Sequence, residues 1–221
     1  MSKTGKFIVI EGLDGSGKGT VTAMLEQYLR EKGEEVRRIS FPRYDLPSST
    51  LLKMYLDGEL GEHPEDTGAY AASTLFSVDR YVSYRVDWSK TLAEGVTVIA
   101  DRYTTANAVH QCSKLPREEW DPFLEWLFDF EYGKLGLPTP DATVYVEMPP
   151  RIAHRLIAAR AAETGRSVDI HETDPHHLDR AYEAGLYACE KLGWLRVPNF
   201  KGDDVRPLDE TFAELLEKTG L

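Results

Sequence analysis

A glycine-rich segment with one lysine has the residue types and spacing that most directly suggest chemistry. Residues 12–18 read GLDGSGK and fit the pattern G-x-x-x-x-G-K, between an apolar run and an amphipathic stretch. Glycines allow backbone N–H groups to turn inward and surround phosphate oxygens. The start of the following helix favours an anion, and Lys18 adds a positive charge. The segment therefore predicts a nucleotide-phosphate site, although the pattern alone does not separate hydrolases, motors and kinases.

Charged side chains also follow two other predicted strands. Arg43 comes after the strand at 35–41, and Asp101 and Arg102 come at the end of the strand at 96–101. In a parallel sheet, ligands bind at the carboxyl ends of the strands, so we expect these residues near the phosphate loop. Asp101 can help to hold Mg²⁺ and Arg102 can clamp a phosphate. Each arginine alone is equally consistent with a surface salt bridge; two beside a phosphate loop favour function.

An aromatic ring and a planar donor group share one helix face at residues 73–80, STLFSVDR. Phe76 and Arg80 are four residues apart, so their side chains are neighbours. A ring that stacks and a guanidinium that forms hydrogen bonds suit a nucleobase. Taken alone, a core phenylalanine and a solvated arginine explain the pair as well.

These residues require a framework in which strands alternate with helices. Buried strands are predicted at 6–11, 35–41, 96–101, 142–148 and 194–197, and helices at 21–33, 49–58, 65–94 (one or two), 117–133, 151–165, 176–193 and 208–218. This alternation predicts an α/β fold, with a parallel, about five-stranded sheet and helices on both faces. The polar segment 163–175 between two helices resembles a small lid.

Length and charge limit the classes of partner. The chain has 221 residues, enough for a single domain, and a net charge of −11. Such a charge argues against a nucleic-acid polymer or an anionic membrane surface as partner. The sequence has two cysteines, no metal-ligand spacing, no signal-like apolar segment and no run of transmembrane length. We therefore expect a cytoplasmic protein.

The motifs, taken together and in order, resemble the thymidylate kinase family of P-loop nucleoside monophosphate kinases. The resemblance rests on EGLDGSGKGT, FPRY, LFSVDR, DRYTTANAVHQ, EYGKLGLPTPD and DIHE, which span residues 11–172. It implies a P-loop NTPase fold, a single domain over residues 1–221 with a lid at about 160–173, and a homodimer formed through the 65–94 and 117–133 helices. The implied reaction transfers the γ-phosphoryl group of ATP to dTMP and depends on Mg²⁺.

The resemblance also assigns roles residue by residue. The ATP phosphates would be bound by the loop residues Gly12, Leu13, Asp14, Gly15, Ser16, Gly17, Lys18, Gly19 and Thr20. The dTMP phosphate would be held by Arg43 and Arg102, with Tyr44 as a brace, and Asp14 would approach the 3′-hydroxyl. Phe76 would stack on thymine, Arg80 would bind its edge, and Asn107 would line the site. Asp101 would lie near Mg²⁺. Because the phosphate loop contains no arginine, the catalytic positive charge is expected from Arg160 or Arg166 of the lid.

Two residues depart from the common pattern of this family. Gly19 stands where Ser or Thr is usual, so the metal is expected to rely on phosphate oxygens, water and Asp101. His110 stands where a tyrosine often lies near the deoxyribose C2′, and it can instead be a packing residue. Two other functions remain open: another nucleoside monophosphate or deoxynucleoside kinase, and a P-loop ATPase with a protein partner. A panel of acceptors would distinguish them.

Overall fold

Five strands of the protein form a central parallel sheet. The structure is a computed structural model that describes residues 5–61, 63, 65–164 and 176–221, without the side chains of 163 and 164. The five strands of the central sheet are β1 (Phe7–Glu11), β2 (Val36–Ser40), β3 (Thr97–Asp101), β4 (Ala142–Glu147) and β5 (Leu195–Pro198), in the spatial order β2-β3-β1-β4-β5. The prediction of a five-stranded parallel sheet is confirmed.

Nine α-helices occur in the described residues. They are α1 (Lys18–Glu31), α2 (Thr50–Leu56), α3 (Ala69–Ser83), α4 (Ser89–Ala93), α5 (Thr104–His110), α6 (Trp120–Phe128), α7 (Pro150–Thr164), α8 (His177–Leu192) and α9 (Leu208–Thr219). The predicted helices 65–94 and 117–133 each contain a wider π-helical segment, Tyr84–Trp88 and Asp129–Lys134. A short hairpin after β5, formed by β6 (Phe200–Lys201) and β7 (Asp204–Val205), was not predicted.

Alternation along β1 divides its side chains between two cores. Ile8 and Ile10 pack with Val21 and Leu25 of α1 on one face of the sheet. Phe7 and Val9 belong to the core on the opposite face, which includes Trp88. Because successive side chains of a strand point to opposite faces, β1 is buried on both sides, which explains its continuous apolar sequence.

The register brings the carboxyl ends of the strands to one edge of the sheet. Asp101 pairs with Ile10 and Ser40, and Glu11 pairs with Tyr145. The strands on the two sides of β1, β3 and β4, are connected to opposite halves of the sheet. Such a switch point creates the crevice in which α/β proteins bind ligands. The sheet therefore places the phosphate loop, which follows β1, beside the residues that follow β2 and β3.

Three expectations concern parts of the chain other than the sheet. Most of the predicted lid, including Arg166 and the DIHE motif, lies in 165–175, outside the described residues. Across the part that is described, no helix is long and apolar enough to cross a membrane. Cys112 and Cys189 are both buried and form no disulfide.

Candidate active site

The phosphate loop adopts backbone conformations that depend on glycine. Gly12, Gly15 and Gly17 have φ angles of 155°, 77° and 84°. Gly17 directly precedes α1, and no side chain caps this helix. The first N–H groups of α1 are therefore available to an anion, as phosphate-binding helices require.

The glycines also let the loop lie close to its surroundings. A Cβ atom on Gly12 would approach the carbonyl oxygen of Val146 to 2.6 Å, and one on Gly15 would approach that of Ala153 to 2.8 Å. Distances under about 3 Å are not tolerated between such atoms. The loop is thus packed against β4 and α7, a constraint that the G-x-x-x-x-G-K pattern does not reveal.

One carboxylate connects the phosphate loop with the end of β3. Asp14 Oδ1 lies 3.3 Å from Lys18 Nζ and 2.9 Å from Arg102 Nη2. Burial acts to raise the pKa of Asp14, but the charges of Arg102 and Lys18 outweigh it and hold this pKa well below its ordinary value. Asp14 therefore remains ionised and keeps two cations together.

Arg102 has an unusual backbone conformation. Its φ of 67° is positive, and no other non-glycine residue in the described part of the chain has a positive φ. Such conformations cost about 1–3 kcal/mol and concentrate at functional sites. The guanidinium also lies 3.5 Å from Glu11 Oε1 and 2.7 Å from His110 Nε2. Burial would lower the pKa of Arg102, but Asp14 and Glu11 raise it.

A cavity of about 380 Å³ opens beside Asp14 and Arg102. It brings together eleven of the predicted site residues: Asp14, Lys18, Gly19, Tyr44, Phe76, Arg80, Asp101, Arg102, Asn107, His110 and Arg160. These residues come from the phosphate loop, the ends of β2 and β3, and helices α3, α5 and α7. The cavity combines an aromatic wall with a group of cations, which suits an aromatic anion.

Arg80 is buried at the side of this cavity and is held by a carboxylate that sequence reasoning missed. Its Nε donates to Oε2 of Glu131 over 2.7 Å, and its Nη2 donates to Oε1 over 2.5 Å. Its Nη1 donates to the carbonyl oxygen of Tyr103. Ser77 and Thr104 donate to the same carboxylate. Glu131 lies in the quoted EYGKLGLPTPD segment, but no local pattern links it to a residue 51 positions earlier.

Phe76 and Asn107 both line the cavity. The ring of Phe76 packs edge-on against Tyr55, at a centroid distance of 6.1 Å, and lines the cavity. Asn107 is buried and its Nδ2 lies 3.4 Å from the carbonyl oxygen of Ser73. Both roles toward a base remain predictions.

Arg43 has partners outside the cavity. Its Nη1 donates to Asp87 (2.7 Å) and to Ser83 (3.0 Å), and its Nε donates to Asp45 (3.0 Å). These contacts, with the hydrogen bond to Asp45 as the largest cause, raise the pKa of Arg43. Its neighbour Tyr44 does line the cavity and is half exposed. Phosphate binding by Arg43 stays a prediction that would require these ion pairs to exchange.

The residues around Asp101 are compatible with Mg²⁺. A Cβ atom on Gly19 would lie 3.4 Å from Asp101 Oδ2, so this carboxylate is adjacent to the start of α1. The described residues contain no group of three or more His, Cys, Asp or Glu side chains that could hold a metal. Mg²⁺ is often bound by one or two carboxylates together with phosphate oxygens and water, so a single aspartate fits it.

His110 contacts both the cavity and α8. Because a guanidinium can only donate, His110 Nε2 accepts from Arg102. Its Nδ1 lies 3.3 Å from Nε2 of His177, and the two rings are stacked. His110 is therefore both a packing residue and a wall of the cavity.

The comparisons with known proteins agree on one family. A family model described as thymidylate kinase matches residues 10–187. The thymidylate kinase of Mycobacterium tuberculosis is 33% identical over 205 residues, 91% of this chain and 93% of that protein. The thymidylate kinase of Plasmodium falciparum is 28% identical over 194 residues, 86% and 85% of the two chains. The solved thymidylate kinase of Candida albicans has a similar fold, with a TM-score of 0.70 at 21% identity over 98% of this chain and 92% of that one.

Proposed function

This chain belongs to the thymidylate kinase family, and we propose that its transfer site is the cavity beside Asp14 and Arg102. The protein is an ATP-dependent kinase that phosphorylates dTMP to dTDP, a step in dTTP biosynthesis. The observation that carries the assignment is the position of Asp14, 3.3 Å from Lys18 and 2.9 Å from Arg102. Lys18 belongs to the donor loop and Arg102 to the acceptor wall. The two phosphates would therefore meet at this carboxylate.

On the donor side, the N–H groups of the loop and of the start of α1 bind the phosphates of ATP. The ATP-binding segment comprises Gly12, Leu13, Asp14, Gly15, Ser16, Gly17, Lys18, Gly19 and Thr20. Within it, the N–H groups of Gly12, Ser16 and Thr20 donate to Glu11, Leu13 and Gly17. Lys18 neutralises charge that develops as the bond between the γ-phosphorus and its bridging oxygen breaks. Fixed charges and dipoles of this kind contribute most of the catalysis in phosphoryl transfer.

On the acceptor side, an oxygen of the dTMP phosphate attacks the γ-phosphorus. The second pKa of a phosphate monoester is about 6, so this oxygen carries no proton at neutral pH and needs no general base. The reaction accordingly relies on the cations of the cavity and needs no base from Asp14, Asp101 or His110. Arg102 holds the acceptor phosphate, with Arg43 and Tyr44 beside it, and Asp14 approaches the 3′-hydroxyl.

Thymine occupies the aromatic part of the cavity. Phe76 stacks on the base, and Asn107 and His110 line the sugar side. Arg80 has five N–H groups and gives three of them to Glu131 and Tyr103. Its two other N–H groups remain for an oxygen at the edge of thymine.

Mg²⁺ would be held by Asp101, phosphate oxygens and water. It would neutralise phosphate charge and orient the γ-phosphoryl group. Arg160 lines the cavity and is one candidate for the additional cation that the phosphate loop lacks. The other candidate is Arg166, in a lid that we propose at about 160–173 of a single domain comprising residues 1–221.

We also propose that the protein is a homodimer that works in the cytoplasm. An exposed stripe on α3 contains Tyr70 (40% exposed), Val78 (44%) and Tyr81 (38%), and Leu51 of α2 is 57% exposed. Several exposed apolar side chains on neighbouring helices are typical of an interface. Val78→Asp should turn a dimer into a monomer in sedimentation velocity, whereas Leu208→Asp on α9 should not. A monomeric wild-type protein would contradict the proposal.

Two buried cysteines without a disulfide are compatible with a reducing compartment.

The transfer itself is tested by following the label of [γ-³²P]ATP. We expect radioactivity in dTDP only when dTMP and Mg²⁺ are both present. Lys18→Ala should abolish the transfer and leave the melting temperature nearly unchanged, because the Lys18 ammonium makes two long hydrogen bonds, to Leu13 (3.4 Å) and Asp14 (3.3 Å), and the substitution keeps the backbone of α1. Label released as inorganic phosphate without dTMP would favour an ATPase instead.

A further inference from the structure

An asparagine that follows β5, the edge strand of the sheet, contacts the phosphate loop. Asn199 directly follows β5 and is 2% exposed. Its Nδ2 donates to the backbone carbonyl oxygen of Ser16 over 2.9 Å, although the two residues are 183 positions apart. Ser16 lies inside the G-x-x-x-x-G-K segment, so this contact joins β5 to the loop that binds the donor.

The amide of Asn199 is fixed by a second contact. Its Oδ1 accepts from Oγ1 of Thr211 in α9 over 2.8 Å, and its backbone N–H donates to the carbonyl oxygen of Glu147 over 2.9 Å. Because a hydroxyl donates to the oxygen and a carbonyl accepts from the nitrogen, the amide has one orientation. Asn199 thus connects α9, β4 and the phosphate loop through hydrogen bonds.

The consequence concerns the peptide between Ser16 and Gly17. In a trans peptide, the C=O and N–H groups point in opposite directions. When the carbonyl oxygen of Ser16 is held by Asn199, the N–H of Gly17 must point away from Asn199. A Cβ atom on Gly17 would lie only 2.8 Å from Asn199 Nδ2, so Gly17 and Asn199 fit together without spare room.

We propose that Asn199 is a positioning residue for the donor phosphates, an inference that rests on the proposed function. It acts by fixing the Ser16–Gly17 peptide and with it the N–H groups at the start of α1. A role confined to folding is the alternative, since Asn199 also anchors the chain between β5 and β6. The two roles predict different kinetics. A positioning role changes the binding of ATP more than the binding of dTMP, whereas a role confined to folding does not.

The test compares two variants at the same hydrogen-bonded amide. Asn199→Ala removes the contacts to Ser16 and Thr211, whereas Thr211→Val keeps the contact to Ser16 and removes the hydroxyl that donates to Asn199 and, over 3.3 Å, to Pro207. We expect Asn199→Ala to raise the Kd and KM for ATP about tenfold, the effect of one lost hydrogen bond, and to leave the KM for dTMP within about twofold. Thr211→Val should lower the melting temperature while both KM values stay within about twofold.

Equal changes in the ATP constants of the two variants, or none in Asn199→Ala, would overturn the proposal. If Asn199→Ala does not fold, Asn199→Ser replaces it, because its shorter side chain cannot reach Ser16. Calorimetry of ATP binding to each protein gives a readout that is independent of turnover. A wild-type protein that transfers no phosphoryl group to dTMP would contradict the proposed function itself, whereas an active wild-type protein with an unaffected Asn199→Ala variant would contradict only this inference.

Discussion

At the scale of single residues, the environment of a charge decides how much it contributes. The side chains of Arg80 and Glu131 are 1% and 0% exposed, whereas those of Lys134 and Asp129, in the same segment as Glu131, are 68% and 62% exposed. Water screens the second pair but not the first. Replacing one partner of a buried pair leaves a charge without compensation, which is more costly than losing an exposed pair.

We therefore predict opposite outcomes for two neutralising substitutions. Glu131→Gln should lower the free energy of unfolding by about 3–5 kcal/mol, because an amide NH₂ would face the guanidinium. Asp129→Asn should change it by less than about 1 kcal/mol. Urea denaturation of the two variants measures both values. A Glu131→Gln variant as stable as the wild type would show that the charge of Arg80 is compensated by other groups.

His110 allows a prediction about sugar selection. It lines the cavity, and we predict from the family resemblance that it lies near the deoxyribose C2′, where a tyrosine would crowd the sugar. A larger ring should exclude a 2′-hydroxyl more strongly. We predict that His110→Tyr and His110→Phe both increase the ratio of kcat/KM for dTMP over ribothymidine monophosphate, by about fivefold or more. A ratio that neither variant changes would leave His110 with a packing role.

At the scale of elements, Lys114 connects three segments behind the acceptor side of the cavity. It follows α5, and its Nζ donates to the hydroxyl of Tyr55 in α2 over 2.6 Å and to the carbonyl oxygen of Thr67 before α3 over 3.1 Å. Burial lowers the pKa of Lys114 to about 7, and Glu65 opposes this shift. The connection thus depends on a lysine that is half neutral near neutral pH.

The lowered pKa predicts how stability depends on pH. Between pH about 7 and about 10.4, the unfolded chain binds a proton on Lys114 that the folded protein has lost. Stability rises with pH wherever the unfolded state binds more protons, so the cost of burying this ammonium falls progressively through that window. The unfolding free energy of the wild type minus that of Lys114→Met should therefore rise from pH 7 to pH 9.5 in urea titrations. A wild-type curve that runs parallel to the Lys114→Met curve would contradict the prediction.

The elements also show which parts of the fold can be predicted from sequence. Strands β1, β3 and β4 were recognisable as short apolar, β-branched runs, whereas β2 and β5 also contain arginine and were recognisable from the alternation of strands with helices. The hairpin β6–β7 was not, because strands of two residues have no periodicity. The site followed from strand ends and helix spacing, which placed Lys18, Asp101 and Arg102 correctly at one edge. The partners of Arg80, Arg43 and Ser16 depend on tertiary packing across 51, 44 and 183 positions, which no local pattern encodes.

At the scale of the whole molecule, an acidic chain has to attract two anionic nucleotides. The net charge is −11, yet Lys18, Arg102 and Arg160 converge on one cavity. Salt screens the long-range repulsion within about 10 Å, whereas the cations act at contact distance. Binding at this cavity therefore depends on its local charges rather than on the overall charge of the protein.

The central claim is that this cavity accepts dTMP and directs it to the γ-phosphoryl group of ATP. The most direct test is ADP release from ATP and Mg²⁺, measured as kcat/KM with each of dTMP, dUMP, AMP, GMP and CMP. We expect activity that requires dTMP, with dUMP weaker by about 1–3 kcal/mol of transition-state binding, the value of one methyl group in an apolar pocket. The kcat/KM values for AMP, GMP and CMP should be far lower, because their bases lack the shape of thymine that stacks on Phe76 and the edge that Arg80 binds. Equal kcat/KM values for dTMP and AMP would contradict the account.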